Sequence, residues 1–186
     1  MSGSVPDVCA EVVLAVDLDG SLIDTDLLKE SVLSLLRSHP LALAWSPAWL
    51  ARGRARFKHE VAARVDLDIT ALPYRQDVMA YLRRCRDAGR TLVLATASNE
   101  KYAAQVADHL GLFDEVLAST ARYNLKGRMK GETLAAQFGA RGFDYLGDSR
   151  SDLAVWRYAR GALLVNPSPA LLRRVGATCE VLHAFG

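Results

Sequence analysis

The residues able to do chemistry in this sequence fall at the ends of apolar runs. The first group is Asp17-Leu18-Asp19-Gly20, directly after EVVLAV at 11–16. Two carboxylates two residues apart at the carboxyl end of a buried strand point the same way. They would face the crevice where open α/β sheets bind ligands. A DxDG string also suits a calcium loop, or a turn whose aspartates cap the following backbone. An EF-hand starting at Asp17 needs a bidentate Glu at position 28, which is Leu28, so the calcium loop fails. The second run closes on Leu94-Ala95-Thr96-Ala97-Ser98-Asn99. A hydroxyl at such a strand end can donate to a phosphoryl oxygen, and Ser98 or Asn99 also suits the cap of a following helix.

Two further groups follow. In Asn124-Leu125-Lys126-Gly127, with Lys130 four residues on, a lysine ahead of a helix could neutralise phosphate charge near a carboxylate cluster. Taken alone, it is a solvated loop lysine. In Gly147-Asp148-Ser149-Arg150-Ser151-Asp152 the two aspartates are one helical turn apart, so both could face a cation above the sheet. Ser149-x-x-Asp152 equally reads as a capping box. Asp148 lies at the strand end and has no such structural role. There is no Walker A string and no GxGxxG, and the four histidines lack HExxH spacing, so nucleotide-loop and zinc-protease readings drop out.

The elements that must position these residues alternate. Near-continuous apolar runs at 11–16, 90–96, 114–119, 143–148 and 161–166 read as strands covered on both faces. Between them lie helical stripes: Val78, Leu82 and Cys85 before Gly89; Tyr102, Val106 and Leu110 before Gly111; Leu134 and Phe138 before Gly139. A βαβα order predicts a doubly wound parallel α/β sheet. One interval is too long: more than 70 residues separate the first two strands, where a single crossover helix needs far fewer. Within it, Leu28, Val32 and Leu35 mark one helix. A second is predicted from Ser46, with Pro47 at its first position and Trp45 and Leu50 as a hydrophobic staple. Leu50, Phe57 and Val61 continue its apolar stripe. Residues 27–72 therefore read as a small helical cap inserted into a core of 1–26 and 73–186. On that second helix Trp49, Arg52 and Arg56 share a neighbouring face. They would either meet a membrane surface or leave Trp49 packed on the core with its arginines solvated or paired to Glu60.

Composition narrows the class. The chain has 186 residues, 51% hydrophobic and 24% charged, which is ordinary globular composition rather than disorder. Its 23 basic and 21 acidic side chains give a net charge of +2, too balanced for a protein whose main partner is nucleic acid. Cys9, Cys85 and Cys179 are few, odd in number and widely spaced, which argues against a disulfide framework or structural zinc and fits a reducing cytoplasm. The start MSGSVPDVCA lacks a signal-peptide pattern. LALAWSPAWLA at 41–51 is well short of the roughly 18 apolar residues of a membrane span. A soluble, cytoplasmic domain is expected.

In order and placement, Asp17-Leu18-Asp19-Gly20, Thr96, Lys126 and Gly147-Asp148 to Asp152 resemble the four motifs of the haloacid dehalogenase superfamily of phosphohydrolases. The likeness covers about 11–166. DLDGSLIDTDLL, LPYRQDV, LVLATASNE, NLKG and FDYLGDSRSDLAVW are similar, more narrowly, to the domain of this type found ahead of UbiA-type membrane prenyltransferases. In that family several apolar spans follow; the sequence reaches Gly186 without them, so a fragment and a free-standing relative are both readings.

The resemblance implies a Rossmann-like core, a cap between the first and second motifs, and a Mg²⁺-dependent phosphatase acting on a small or lipid-linked phosphomonoester. It implies Asp17 as nucleophile, giving an aspartyl-phosphate, and Asp19 as general acid and base. It implies Thr96 and Lys126 as holders of the phosphoryl oxygens, with Lys130 the second choice for the lysine. Mg²⁺ would be held by the Asp17 carboxylate, the Asp19 backbone carbonyl and Asp148, with Asp152 supporting through water. A phosphomutase on the same scaffold remains open. So does a non-catalytic phosphate-binding module, associated with a membrane surface or a membrane prenyltransferase.

Overall fold

The apolar runs become strands lying side by side. In the computed structural model, which describes residues 11–186 apart from the side chain of Leu43, these are β1 (Val13–Val16), β2 (Leu92–Asn99), β3 (Glu115–Ser119), β4 (Phe143–Gly147), β5 (Gly161–Val165) and β6 (Glu180–Phe185). They form one parallel sheet in the order β3-β2-β1-β4-β5-β6. The chain therefore winds outward from β1 through β2 to β3, returns, and winds the other way from β4 to β6. That reversal leaves a crevice between the carboxyl ends of β1 and β4, where doubly wound sheets bind ligands. Only β6 escaped the sequence pattern. It is an edge strand carrying Glu180 and His183, with mostly partial exposure, so it shows no continuous apolar run. Cys9 lies outside the described residues, while Cys85 and Cys179 are buried free thiols.

The helices are α1 (Leu27–Ser38), α2 (Ser46–Ala51), α3 (Arg54–Ala62), α4 (Gln76–Asp87), α5 (Glu100–Leu110), α6 (Arg128–Phe138), α7 (Leu153–Trp156) and α8 (Pro169–Gly176). Strand alternation divides the core in two. Leu14, Val16, Leu146 and Leu163 pack with Val78 and Leu82 of α4 and Tyr102 and Val106 of α5. Ala15, Tyr145 and Leu164 pack with Leu134 of α6, Trp156 of α7 and Val175 of α8. The predicted stripes of α4, α5 and α6 are the buried ones.

Helices α1 to α3 fill the long interval and share a small core of Leu35, Trp49, Val61 and Val65. The expected continuous second helix is broken. α2 stops at Ala51, and Gly53 at φ 101° turns the chain into α3, a conformation only glycine adopts cheaply. The break undoes the predicted staple: Trp45 and Leu50 are 66% and 51% exposed. Trp49 instead is buried, with the Arg64 guanidinium 4.6 Å from its ring centre. Arg56 pairs with Glu60. The expected common face of Trp49, Arg52 and Arg56 therefore does not exist. Among the described residues, no helix is long and apolar enough to cross a membrane.

At the amino end of the sheet, one charge sits inside the apolar core. Asp144 on β4 is 0% exposed and pairs with Arg90, itself 1% exposed. Arg90 Nε also donates to Val12 O at 2.7 Å. Arg160 closes the set, donating through Nε and Nη2 to the two Asp144 oxygens at 2.9 and 2.7 Å. Removing one member of such a set strands a buried charge. Asp144→Ala should lower unfolding stability by about 3–5 kcal/mol, read from urea denaturation. Arg90→Met with Asp144→Leu should recover much of that loss, since no fully buried charge is then stranded and the Arg160 side chain, 36% exposed, reaches water.

Candidate active site

The crevice between β1 and β4 holds most of the residues singled out from the sequence. β1 ends at Val16, opposite Leu146, and Asp17 N donates to Leu146 O at 2.9 Å. The chain then turns at Gly20, whose φ is +77°. A Cβ there would lie 2.5 Å from Asp148 Oδ2, so a glycine lets the loop after β1 close onto the loop after β4. Between them lies a cavity of about 260 Å³. Asp17, Asp19, Asp148 and Asp152 line it together with Ser98, Lys126 and Lys130. Arg54 and Lys58 of α3 reach it from the helical insertion.

Asp17 is buried, and its Oδ1 accepts from Lys130 Nζ at 2.6 Å. Lys130 also donates to the Tyr145 hydroxyl at 2.8 Å, and that hydroxyl donates to Asp152 Oδ1 at 2.8 Å. Asp152 Oδ2 accepts from Ser149 N at 3.1 Å and Ser149 Oγ at 2.9 Å. The capping box is therefore real, and Asp152 serves it while lining the site. Carboxylate oxygens of Asp17, Asp148 and Asp152 lie within 4.8 Å of one another. One lysine stands against three acids. Burial raises the Asp17 carboxyl to about 7, with Lys130 opposing and Asp152 and Asp19 reinforcing the rise. Burial, helped by Asp152, raises Asp148 to about 6. Such an excess of buried negative charge and hard oxygen donors suits a divalent cation.

Asp19 turns elsewhere. Its Oδ1 accepts from Leu27 N, the first residue of α1, at 2.7 Å, and its Oδ2 accepts from Ser98 Oγ at 2.5 Å. Burial raises its carboxyl above the ordinary range, opposed by these two hydrogen bonds. Asp17 and Asp19 both line the cavity, as their spacing predicts, although both lie on the loop beyond Val16 and their side chains bond to different elements. The Asp19 carboxylate is not among the clustered oxygens that could hold a metal.

The hydroxyl and the lysine also shift. β2 runs on to Asn99 through an irregularity after Ala95, so its end lies beyond Thr96. Thr96 is fully buried and accepts from Ser98 N at 2.9 Å, while its own contact to Asp19 is at the 3.5 Å limit. Ser98 lines the cavity; Asn99 caps α5 by accepting from Lys101 N. Lys126 lies exposed on the cavity wall, and the ammonium on Asp17 belongs to Lys130. Gly127, at φ +57°, starts α6 at Arg128 and puts Lys130 in its first turn. Gly131 then brings α6 against α7, since a Cβ there would sit 2.9 Å from Ala154 O. The dipeptide Lys-Gly occurs twice, one turn apart, and the pattern Asn-x-Lys-Gly selects the wrong copy for this contact.

Two site residues carried no sequence signal that was used. Tyr145 is two positions before Gly147 on the Asp17 side of the sheet, readable from strand alternation alone. Lys58 Nζ donates to Ala97 O at 2.5 Å. Burial pushes its ammonium below the usual lysine range, with Asp19 opposing and Lys126 adding to the fall.

A family model for haloacid dehalogenase-like hydrolases matches residues 14–157. The chain belongs to that family. It is 39% identical over 173 residues to the uncharacterized protein y4nM of Sinorhizobium fredii; the match takes in 91% of this chain and 33% of that protein, so the chain spans about a third of that relative's length. Among solved structures it is similar in fold to a substrate-bound phosphoserine phosphatase (TM-score 0.64, 14% identity, 94% of this chain and 92% of that one). A predicted phosphatase from Clostridium acetobutylicum is similar too (TM-score 0.66, 16% identity, 95% and 94%). So is a phosphoserine phosphatase holding a phospho-aspartyl intermediate analogue (TM-score 0.63, 14% identity, 95% and 93%).

The raised carboxyls fix the pH response of the metal-free protein. Asp17 and Asp148 bind protons more tightly folded, at about 7 and about 6, than at their ordinary 3.8. The folded state therefore holds the extra protons between these values, and stability falls as pH rises from about 4 to about 7. Thermal melts in chelator should show the melting temperature dropping across that window, and Asp148→Asn should flatten the drop. Added Mg²⁺ should raise the melting temperature at pH 8 and have little effect at pH 4.5.

Proposed function

We propose that the chain is a Mg²⁺-dependent phosphatase that hydrolyses a phosphate monoester through an aspartyl-phosphate. The observation that carries this reading is the state of Asp17. Lys130 holds Oδ1, while no hydrogen bond among the described residues occupies Oδ2, on a carboxylate set beside Asp148 and Asp152 in a cavity. The residues fit the ion. Three carboxylates converge within 4.8 Å and call for a compensating cation, and Asp17, Asp148 and, through Asp152's remaining acceptor capacity, a bridging water are suited to hold it. The backbone carbonyl of Asp19 is the fourth group that the family resemblance assigns. When bound, Mg²⁺ withdraws charge from the phosphoryl oxygens and so lets an anionic carboxylate approach them.

The chain's own residues do the rest. Lys130 fixes the Asp17 rotamer and offsets charge at the reacting centre. Asp17 Oδ2 attacks phosphorus in line, and the bond to the leaving oxygen breaks. Asp19, whose burial favours its protonated form, gives that oxygen its proton. The Asp19 carboxylate then takes a proton from water as the water attacks the acyl phosphate. This releases inorganic phosphate and restores Asp17. Ser98 and Leu27 N hold Asp19 in place. Lys58 and Lys126 balance phosphate charge at the cavity wall, and residues 27–72 act as a cap that brings Lys58 over the site. The likeness to the domain ahead of UbiA-type prenyltransferases adds a lipid-linked phosphate to the substrates worth assaying.

Phosphate release from a generic aryl phosphate tests the reaction. It should require Mg²⁺, stop with chelator and vanish in Asp17→Asn. Phosphate retained in an isomerised ester would instead indicate a mutase, and equal turnover by Asp17→Asn would remove the mechanism. The two lysines should separate. Lys130→Ala should lower kcat on the order of 10²–10³, as for loss of a preorganised charge, and Lys126→Ala should cost much less. The opposite ranking would return the phosphate-facing role to Lys126.

A further inference from the structure

The catalytic cavity has a neighbour. The turn between α2 and α3 and the loop after β3 enclose an open hollow of about 750 Å³. Arg54 and Asn124 line both spaces, so the two adjoin at that pair. Four arginines face the hollow: Arg52, Arg54 and Arg56 from the turn, and Arg122 from the loop. No acidic residue lines it.

Several arginines of the helical layers are neutralised by a carboxylate, as Arg64, Arg75, Arg86 and Arg128 are. In the hollow only Arg56 is, through Glu60. Arg52, Arg54 and Arg122 have no ion pair among the described residues. Like charges brought together from segments nearly 70 positions apart repel one another. The fold nevertheless converges them, because Gly53 at φ 101° breaks the helix and swings Arg52 and Arg54 toward Arg122. On an unbroken helix these side chains would spread around its axis. The α3 start adds to the positive field, since its cap residue, Gly53, offers no side chain to its first backbone N–H groups. Guanidinium groups match phosphate and carboxylate oxygens through paired donors.

We propose that this hollow seats a second anionic group, a phosphate or a carboxylate, carried on the leaving-group side of the substrate. The proposal rests on the phosphatase reading for what occupies the catalytic cavity, and it adds a substrate class: phosphomonoesters whose alcohol bears a second anion. The reacting phosphoryl group sits against Asp17 Oδ2. The ester oxygen leads toward Asn124 and Arg54, and the far anion is held by Arg52, Arg54 and Arg122. A substrate with an uncharged alcohol leaves those arginines unsatisfied and forfeits their binding energy.

Calorimetry with Mg²⁺ and non-hydrolysable ligands tests this independently of turnover. The probes are a simple alkylphosphonate, a series of α,ω-alkanediyl bisphosphonates, and ω-phosphonocarboxylates of matched length. At one tether length, a two-anion ligand should bind at least tenfold more tightly than the alkylphosphonate. Which terminal group gains more identifies phosphate or carboxylate. Arg52→Gln with Arg122→Gln, both exposed positions, should reduce that ratio to near one. In the wild type, the ratio should also shrink with added salt, as an exposed charge contact must. Absence of an advantage at every tether length, or an advantage unchanged in the double variant, overturns the proposal. Aryl phosphate turnover with no two-anion advantage removes the subsite and keeps the phosphatase. A two-anion advantage without any turnover removes the phosphatase and keeps the subsite.

Discussion

At the carboxyl ends of β1 and β4, three aspartates meet and a single ammonium group stands among them. Holding Asp17, Asp148 and Asp152 within 4.8 Å out of water is costly, because each charge loses hydration and repels the others. Much of the surrounding structure serves to sustain that arrangement. Lys130 must be buried against Asp17, so α6 must lie close to α7, and Gly131 makes that approach possible. Gly20 lets the loop after β1 close onto Asp148. Tyr145 spans Lys130 and Asp152, so the one cation and the deepest acid are held by the same hydroxyl.

What the sequence revealed depends on how local each determinant is. Apolar runs announce strands, so β1 to β5 and a doubly wound parallel sheet are readable. β6 is not, because Glu180 and His183 interrupt its apolar positions. The four acidic site positions were also readable, since each lies just beyond a strand and that placement depends on a few residues. Which lysine meets Asp17 and which hydroxyl lines the cavity are questions of phase. A helix that starts two residues after Lys126 turns Lys130 inward, and an irregularity in β2 carries Ser98 to the cavity while Thr96 stays buried. Shifts of two to four residues decide both outcomes, and no composition signal resolves them. The break at Gly53 is a similar case. Hydrophobic spacing from Leu50 to Val61 fits one helix, and a single glycine overrules it.

Asp19 illustrates a further limit. Strand alternation placed it beside Asp17, and alternation ends where the strand ends. Its partners, Leu27 N and Ser98, come from the start of α1 and the end of β2. The residue assigned to proton transfer is thus fixed by the junction between sheet and helical insertion. The two carboxylates of one motif are positioned by different parts of the fold, Asp17 by α6 and Asp19 by the start of α1 and the end of β2.

β4 carries the contrast that separates structure from function here. Asp144 and Asp148 lie four residues apart on and just beyond the same strand, the first fully buried and the second half-buried. Asp144 is met by two guanidinium groups that occupy both its oxygens. Asp148 accepts from Ser21 Oγ at 3.4 Å and lies beside the acids Asp17 and Asp152. A buried carboxylate with its charge balanced contributes to holding the sheet together. At the open end of the sheet Asp17, Asp148 and Asp152 instead bring together negative charge that a bound cation would offset.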